Sequence, residues 1–219
     1  MLERLQQQLH AIYQTDPIYD VRDFLVTDAC VARAISGANA LTISGETLLL
    51  CEDGEDILVT LYLDDEILAR LDSGDPAAAV RAGQLDDLCK VIEGLSHFNY
   101  LAWRASRDRS VSLLELELQA EVDKFVSTMH FAREEQDTDT MNGLHGRLFD
   151  KVQFHDHLTS EQLERYRSAT RYAARFCRGL RRRLARSGDD TLIELRRFYR
   201  MPLSDKISHI HSRCWMRSE

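Results

Sequence analysis

The chain of 219 residues contains few of the residues that shape secreted or fibrous proteins, with 10 glycines, 3 prolines and 5 cysteines. Low glycine and proline contents argue against collagen-like, low-complexity and turn-rich all-β folds. The cysteines are odd in number, widely spaced and without a C-x-x-C pair, which argues against a disulfide framework or a thiolate zinc site. We therefore expect reduced, mostly buried thiols in a cytoplasmic protein.

Long apolar runs are also missing, so we expect no helix that spans a membrane. The first ten residues are amphipathic and lack the apolar segment and the small-residue cleavage site of a secretory signal. The glycine-rich phosphate loops, the nucleophile elbow and the H-E-x-x-H zinc motif do not occur either. The chain thus carries no motif that identifies a reaction or a cofactor.

The formal net charge of −8 conceals a division along the chain. Residues 1–100 have a charge balance of −12, residues 101–160 of −4 and residues 161–219 of +8. Such a division suggests either that the two ends of the chain meet or that the basic end binds an anion.

Hydrophobic periodicity predicts an α+β fold that is predominantly helical, a helical bundle with a small N-terminal antiparallel β-hairpin. The runs TLLLCE and DILVTLYLD flank an Asp-Gly turn signal, and residues 21–27 are a candidate third strand because two strands alone are marginally stable. Helices are predicted over residues 2–14, 28–35, 64–72, 84–107, 112–135, 144–152, 160–186, 189–200 and 204–215. We expect a single domain over 1–219, with the first helix and the hairpin in 1–75 and a helical core in 84–219.

Short polar side chains mark where several of these helices begin. Asp28, Ser160 and Ser204 are predicted N-caps. Ser112 followed by Glu115 has the spacing of a capping box, which sets the start of the second long helix.

The helix over residues 112–135 is apolar on two opposite sides, which indicates packing on both sides and a central position in the bundle. Polar side chains occupy the two seams between these sides. One seam contains Glu117, Glu121, Lys124 and Thr128, and the other contains Glu115, Gln119, Asp123, His130 and Arg133. Carboxylates held between buried faces need partners, or their pKa values rise.

Four side chains make up the carboxylate–histidine constellation of the predicted bundle: Glu93, His97, Glu117 and Glu121. Glu93 and His97 are i,i+4 neighbours on the polar stripe of their helix, and folding the helical hairpin back about residues 109–110 is expected to place Glu121 near His97. A solvated stripe is the simplest interpretation of the first pair, and a structural polar network that of all four. A metal or acid–base site is the alternative, although the Glu-x-x-His pattern of di-iron bundles is missing.

The helix over residues 160–186 has an apolar side and, within roughly 80° of arc opposite to it, a stripe of five arginines. These are Arg167, Arg171, Arg175, Arg178 and Arg182, and we call them the arginine face. Like charges at i,i+4 repel each other and no acid occurs between Arg165 and Gly188, so an anion is expected opposite the face. A merely solvated face is the alternative. Arginine rather than lysine favours bidentate contacts with carboxylates or phosphates.

Three functions fit these features. The leading hypothesis is a non-enzymatic binding or regulatory protein whose arginine face, or whose acidic N-terminal half, engages an oppositely charged protein surface, its own or a partner's. The second is binding of nucleic acid or a phosphate ligand by the same face, which the acidic total and the absence of a known motif disfavour but local charge favours. The third is a metal-dependent helical-bundle enzyme that uses Glu93, His97, Glu117 and Glu121.

Two further sets are spaced like metal ligands: His155 with His157, and His209 with His211 and Cys214. Side chains two residues apart on a helix point to different sides, so we expect structural or exposed roles for both sets.

Overall fold

The computed structural model describes residues 1–36, 45–53, 56–71, 74–150, 152, 154, 158–185 and 189–215. These residues contain ten helices and three strands, which confirms the predominantly helical α+β fold. The helices are α1 (Leu2–Tyr13), α2 (Ala29–Ser36), α3 (Asp65–Arg70), α4 (Pro76–Arg81), α5 (Leu85–Ala105), α6 (Leu113–Glu134), α7 (Thr138–Phe149), α8 (Ser160–Leu184), α9 (Asp189–Arg200) and α10 (Leu203–Trp215). The strands are β1 (Leu25–Val26), β2 (Glu46–Asp53) and β3 (Asp56–Leu63). In the described part of the chain, no helix is long and apolar enough to cross a membrane.

The three strands form one sheet in the order β1-β3-β2. The predicted hairpin is confirmed, since β2 and β3 pair antiparallel, and β1 adds to β3 in parallel from within the candidate third strand. The sheet packs on α5, where Gly94 permits the close approach. A Cβ atom at Gly94 would lie 3.0 Å from the side chain of Leu61 and 3.3 Å from the carboxylate of Glu46. The backbone of α5 and the first residue of β2 are therefore in close proximity.

Helix α6 lies between α5 and α8, with α7 and α1 also against it, which confirms its predicted central position. Apolar residues on both of its sides are buried, as are Glu115, Glu117, Gln119, Asp123 and Thr128 from the polar seams. A continuous cluster of buried apolar side chains connects Leu5 in α1 to Ile210 in α10 through this helix.

Several helix starts differ from their predictions. The prediction of Ser160 as a cap is wrong, because Thr159 caps the helix one residue earlier. The Thr159 hydroxyl accepts from the backbone N–H of Gln162, and the side chain of Gln162 accepts from the backbone N–H of Thr159. Together these two bonds form a complete capping box. Helix α10 begins at Leu203, so Ser204 lies inside its first turn rather than at its cap. Asp28 caps α2 as predicted, accepting from the backbone N–H of Cys30 at 2.6 Å.

Periodicity did not predict one helix, because it is short, and predicted too late a start for another, because that helix begins in polar sequence. Helix α4 is six residues long, with Asp75 as its cap and Pro76 in its first turn, where a missing N–H is tolerated. Helix α7 begins at Thr138, six residues earlier than predicted, because Asp137 caps it through the backbone N–H of Thr140.

The predicted capping box of Ser112 and Glu115 is half correct. Ser112 accepts from the backbone N–H of Glu115 at 3.2 Å, but the carboxylate of Glu115 accepts the Tyr100 hydroxyl at 2.5 Å instead of closing the box. The tertiary partner takes precedence because this carboxylate is buried, and a buried acceptor without a donor costs about 1–3 kcal/mol.

A buried polar network fastens α10 to α5 and α6. The ammonium group of Lys206, which has no exposed surface, donates to the side-chain oxygen of Gln119 at 2.8 Å and to the Tyr100 hydroxyl at 3.0 Å. The amide of Gln119 in turn donates to Asp123 at 2.8 Å, and Asp123 also accepts the hydroxyl of Tyr13 from α1. Burial raises the pKa of Asp123 to about 6, against the hydrogen bonds that it accepts.

Burial also lowers the pKa of Lys206 to about 7, although the charges of Glu115 and Asp123 oppose the shift. The lysine loses its proton near pH 7 in the folded protein and near pH 10.5 in the unfolded chain. The unfolded state therefore binds more protons between these values, and the contribution of Lys206 to stability rises as the pH increases through this window.

Replacement of Lys206 tests whether its pKa is lowered in the folded protein. Relative to Lys206→Met, the wild-type free energy of unfolding is expected to gain about 1 kcal/mol per pH unit between pH 7 and 9, measured by urea unfolding at each pH. Lys90→Met, at an exposed position of α5, is the control and is expected to show no such trend. A pH-independent difference for Lys206→Met would contradict the lowered pKa.

Candidate functional site

The constellation predicted from α5 and α6 lies at a buried junction, into which β2 and α8 also send side chains. His97 is 9% exposed and Glu117 is 8% exposed, so the interpretation of this side of α5 as a solvated stripe is wrong. The sheet covers that side, and Glu46 of β2 brings its Oε2 atom to 3.9 Å from His97 Nδ1. The helical pattern of α5 alone contains no information about this cover.

The pairing across the α5–α6 hairpin differs from the prediction by about one helical turn. His97 Nε2 lies 3.6 Å from Glu117 Oε2, whereas the prediction placed Glu121 beside His97. The reversal occurs earlier than residues 109–110, because Asp108 already has a left-handed conformation with φ 52° and the chain then runs outside helical structure to Ser112.

Glu121 belongs instead to an ion-pair bridge. The ammonium group of Lys124 donates to Glu121 Oε1 and to Glu93 Oε2, each at 2.9 Å. Burial alone would lower the pKa of Lys124, but the charges of Glu121 and then Glu93 outweigh it and raise this pKa well above its usual range. Lys124 therefore remains charged and connects the two helices.

Three members of this buried cluster were not part of the predicted constellation: Glu46, Lys124 and Arg165. Arg165 of α8 places its Nε atom 3.8 Å from Glu117 Oε1. Lys124 shares a seam with Glu117 and Glu121, so its position was readable from the sequence. Glu46 and Arg165 come from elements distant in the chain, and no spacing rule links them to α6. We call all seven residues the ionic junction: Glu46, Glu93, His97, Glu117, Glu121, Lys124 and Arg165.

Protonation of Glu46 and His97 reduces the negative charge of the ionic junction. Burial raises the pKa of Glu46 to about 8, and the charge of Glu93 adds to this shift. Burial would lower the pKa of His97, but the adjacent carboxylate of Glu117, followed by those of Glu46 and Glu93, raises it to about 9. At pH 7 Glu46 is therefore neutral and His97 positive, which lowers the negative charge that the carboxyl groups bring to the junction.

Part of the ionic junction also has the geometry of a metal site. One ligand atom from each of Glu93, His97 and Glu117 can be chosen so that all three lie within 4.8 Å of one another. One imidazole nitrogen with carboxylate oxygens is a donor set that suits zinc, manganese or iron. Lys124 already neutralises Glu93, which favours the interpretation as a polar network.

The arginine face of α8 lies outside the ionic junction, at the protein surface. All five of its arginines are exposed, and no carboxylate in the described part of the chain lies within 4.0 Å of their guanidinium groups. The hydrogen bond from Arg171 to the Ser168 hydroxyl, at 3.5 Å, is weak. By contrast, Arg165 and Arg183 of the same helix pair with Glu117 and Glu194. Helix α8 thus has paired arginines toward the protein and unpaired ones toward solvent.

The two weaker histidine sets do not form a site in the described residues. His209 Nε2 lies 3.4 Å from Glu194 Oε1, whereas the ring of His211 packs edge-on against Tyr172, so the two imidazoles have separate partners as expected. His155, His157 and the side chain of Cys214 lie outside the described residues.

Comparison with protein-family models, with curated proteins and with solved structures found no match to this chain.

Removal of the bridging cation tests the ionic junction. Lys124→Met leaves Glu93 and Glu121 buried without a cation between them, so we expect it to lower the free energy of unfolding by about 3–5 kcal/mol, measured by urea unfolding. Adding Glu93→Gln to this variant is expected to restore part of the loss, since one uncompensated charge disappears. The control is Arg147→Met, which breaks an exposed pair with Asp86 and is expected to cost less than about 1 kcal/mol. Equal losses in Lys124→Met and Arg147→Met would contradict the bridge.

Proposed function

We propose that this chain is a binding protein that engages an acidic protein surface through the arginine face of α8. The observation that carries the proposal is the exposure of all five guanidinium groups with no carboxylate in the described residues to neutralise them. Five like charges at i,i+3 and i,i+4 spacings repel each other, and this repulsion is relieved when anions lie opposite.

The dimensions of the face suit an extended surface rather than a single small anion. Arg167 and Arg182 are fifteen residues apart on a continuous helix, which corresponds to about 22 Å along the axis. The planar guanidinium group donates two parallel hydrogen bonds to a carboxylate, so a row of Asp and Glu side chains at matching spacing can be bound bidentately.

An acidic protein is favoured over nucleic acid by the charge of the remaining chain. Residues 1–160 carry a balance of −16, which repels a long polyanion that extends beyond the face. A short acidic segment avoids this repulsion because it covers α8 alone.

Charge reversal provides the test. The triple variant Arg171→Glu, Arg175→Glu and Arg178→Glu is expected to weaken binding of a glutamate-rich peptide by at least about tenfold, because several charge-assisted hydrogen bonds are lost. Fluorescence anisotropy of the labelled peptide at low salt measures the affinity.

A matched control distinguishes the effect of the arginine face on binding from the effect of net charge. Arg33, Arg109 and Arg197 are exposed and lie off the face, and their reversal to Glu changes the total charge by the same amount. This control is expected to retain most of the affinity. If both triple variants bind equally, or if a DNA or RNA oligomer of equal charge binds more tightly than the peptide, the proposal is wrong.

A second candidate function, binding of a transition-metal ion, rests on the convergence of Glu93, His97 and Glu117 within 4.8 Å. His97 and the two carboxylates would supply the ligands, and such an ion would act there as a Lewis acid when bound. Metal binding would displace the proton that His97 otherwise carries.

Elemental analysis of the purified protein, followed by thermal unfolding with added Zn²⁺, Mn²⁺ or Fe²⁺, tests this second candidate. It predicts one ion per chain and a raised Tm with that ion, both lost in His97→Gln. His130→Gln, at a half-buried histidine paired with Glu134, is the matched control and keeps both signals. Absence of a stoichiometric ion together with an unchanged Tm removes the candidate.

A further inference from the structure

A cavity of about 430 Å³ lies between α1, α6 and the adjoining ends of α8 and α9, away from both the arginine face and the ionic junction. Its apolar lining comes from all four helices and includes Ile12, Val126, Phe131, Leu184 and Leu192. Exposed Gln7 and Ala11 also line it, so the cavity reaches the protein surface. A space of this size is within the range that small-molecule sites occupy.

Two residues that line this cavity have buried polar atoms without partners. Thr191 is 1% exposed, and its hydroxyl has no hydrogen-bond partner in the described part of the chain. Both the oxygen and the nitrogen of the Gln8 side-chain amide are buried and equally without partners there. A buried polar group left unpaired costs about 1–3 kcal/mol, so three such atoms in residues that line one cavity favour a ligand that pairs with them.

The cavity also carries a positive charge that the surrounding residues do not neutralise. Arg4 is paired with Asp75 and Glu134, but no carboxylate among the described residues lies within 4.0 Å of half-buried Arg133. The neighbour of Arg133 is the imidazole of His130, whose Nδ1 atom lies 3.5 Å from Arg133 Nη2. One guanidinium group at the cavity is therefore available for an anion.

We propose that this cavity binds a small amphipathic carboxylate. The carboxylate pairs with Arg133, the apolar body lies against Phe131 and the leucine and isoleucine side chains, and the Gln8 amide and the Thr191 hydroxyl hydrogen-bond to polar atoms near the head. Such a ligand satisfies the charge, the unpaired polar atoms and the apolar lining together.

Isothermal titration calorimetry of the full chain with octanoate and with 4-phenylbutyrate tests this inference. We expect saturable binding of at least one of the two acids at one site. The uncharged analogue octan-1-ol is expected to bind at least roughly tenfold more weakly than octanoate, since it cannot form the charge-assisted pair. Arg133→Gln is expected to weaken binding of the acid by a similar factor, whereas Arg109→Gln, which removes an equal charge from the exposed turn between α5 and α6, leaves it unchanged.

Thr191→Val distinguishes a binding role from a structural one. It removes the unpaired hydroxyl without changing the side-chain volume, so the free protein is expected to melt about 2 °C higher while acid binding weakens roughly threefold to tenfold. If the hydroxyl had only a structural role, Thr191→Val would change the Tm without changing the affinity for the acid. The inference is overturned if neither acid binds at low millimolar concentration, if octan-1-ol binds as well as octanoate, or if Arg133→Gln and Thr191→Val both leave the affinity unchanged.

Discussion

Burial of α6 along both of its polar seams is the constraint on which the rest of the structure depends. A buried charge without a partner costs more than a well-made pair returns, so each seam has to find partners inside the protein. Side chains of β2, α5 and α8 lie against the seam that contains Glu117 and Lys124. The opposite seam, which contains Asp123, accepts hydrogen bonds from Tyr13 of α1 and Lys206 of α10. Polar contacts thus join the two ends of the chain to its central helix.

The same physical rule distinguishes the charges that are paired within the fold from those that are not. Arg165 and Arg183 point toward the protein and are paired, whereas the arginine face of the same helix is exposed and has no carboxylate partner in the described residues. Arg4 and Arg133 show the same contrast beside the cavity, where the first is paired and the second is not. In the described residues, a cluster of arginines without carboxylate partners thus lies on α8, and a single one lies beside the cavity.

Features that depend on local sequence were predictable. Period-3.6 spacing located the long helices, and the Asp-Gly turn signal located the hairpin, because both reflect preferences of neighbouring residues. The two apolar sides of α6 also predicted its central position. The burial of His97 could not be predicted in this way, because β2 covers it from a position about fifty residues earlier in the chain. The pairing of His97 with Glu117 rather than Glu121 depended on Asp108, whose left-handed conformation shifts the hairpin by about one turn.

The sequence by itself determined which residue types share each helix face, and hence that the arginine face exists and that α6 carries charge between buried sides. Only the tertiary structure decided which of these charges are paired. Pairing depends on distances of a few ångströms between elements far apart in the chain, and helical periodicity contains no such distances. For that reason the sequence identified Glu93, His97, Glu117 and Glu121 as a group, while the fold supplied Glu46 and Arg165, the protonation of Glu46 and His97, and the cavity beside Thr191.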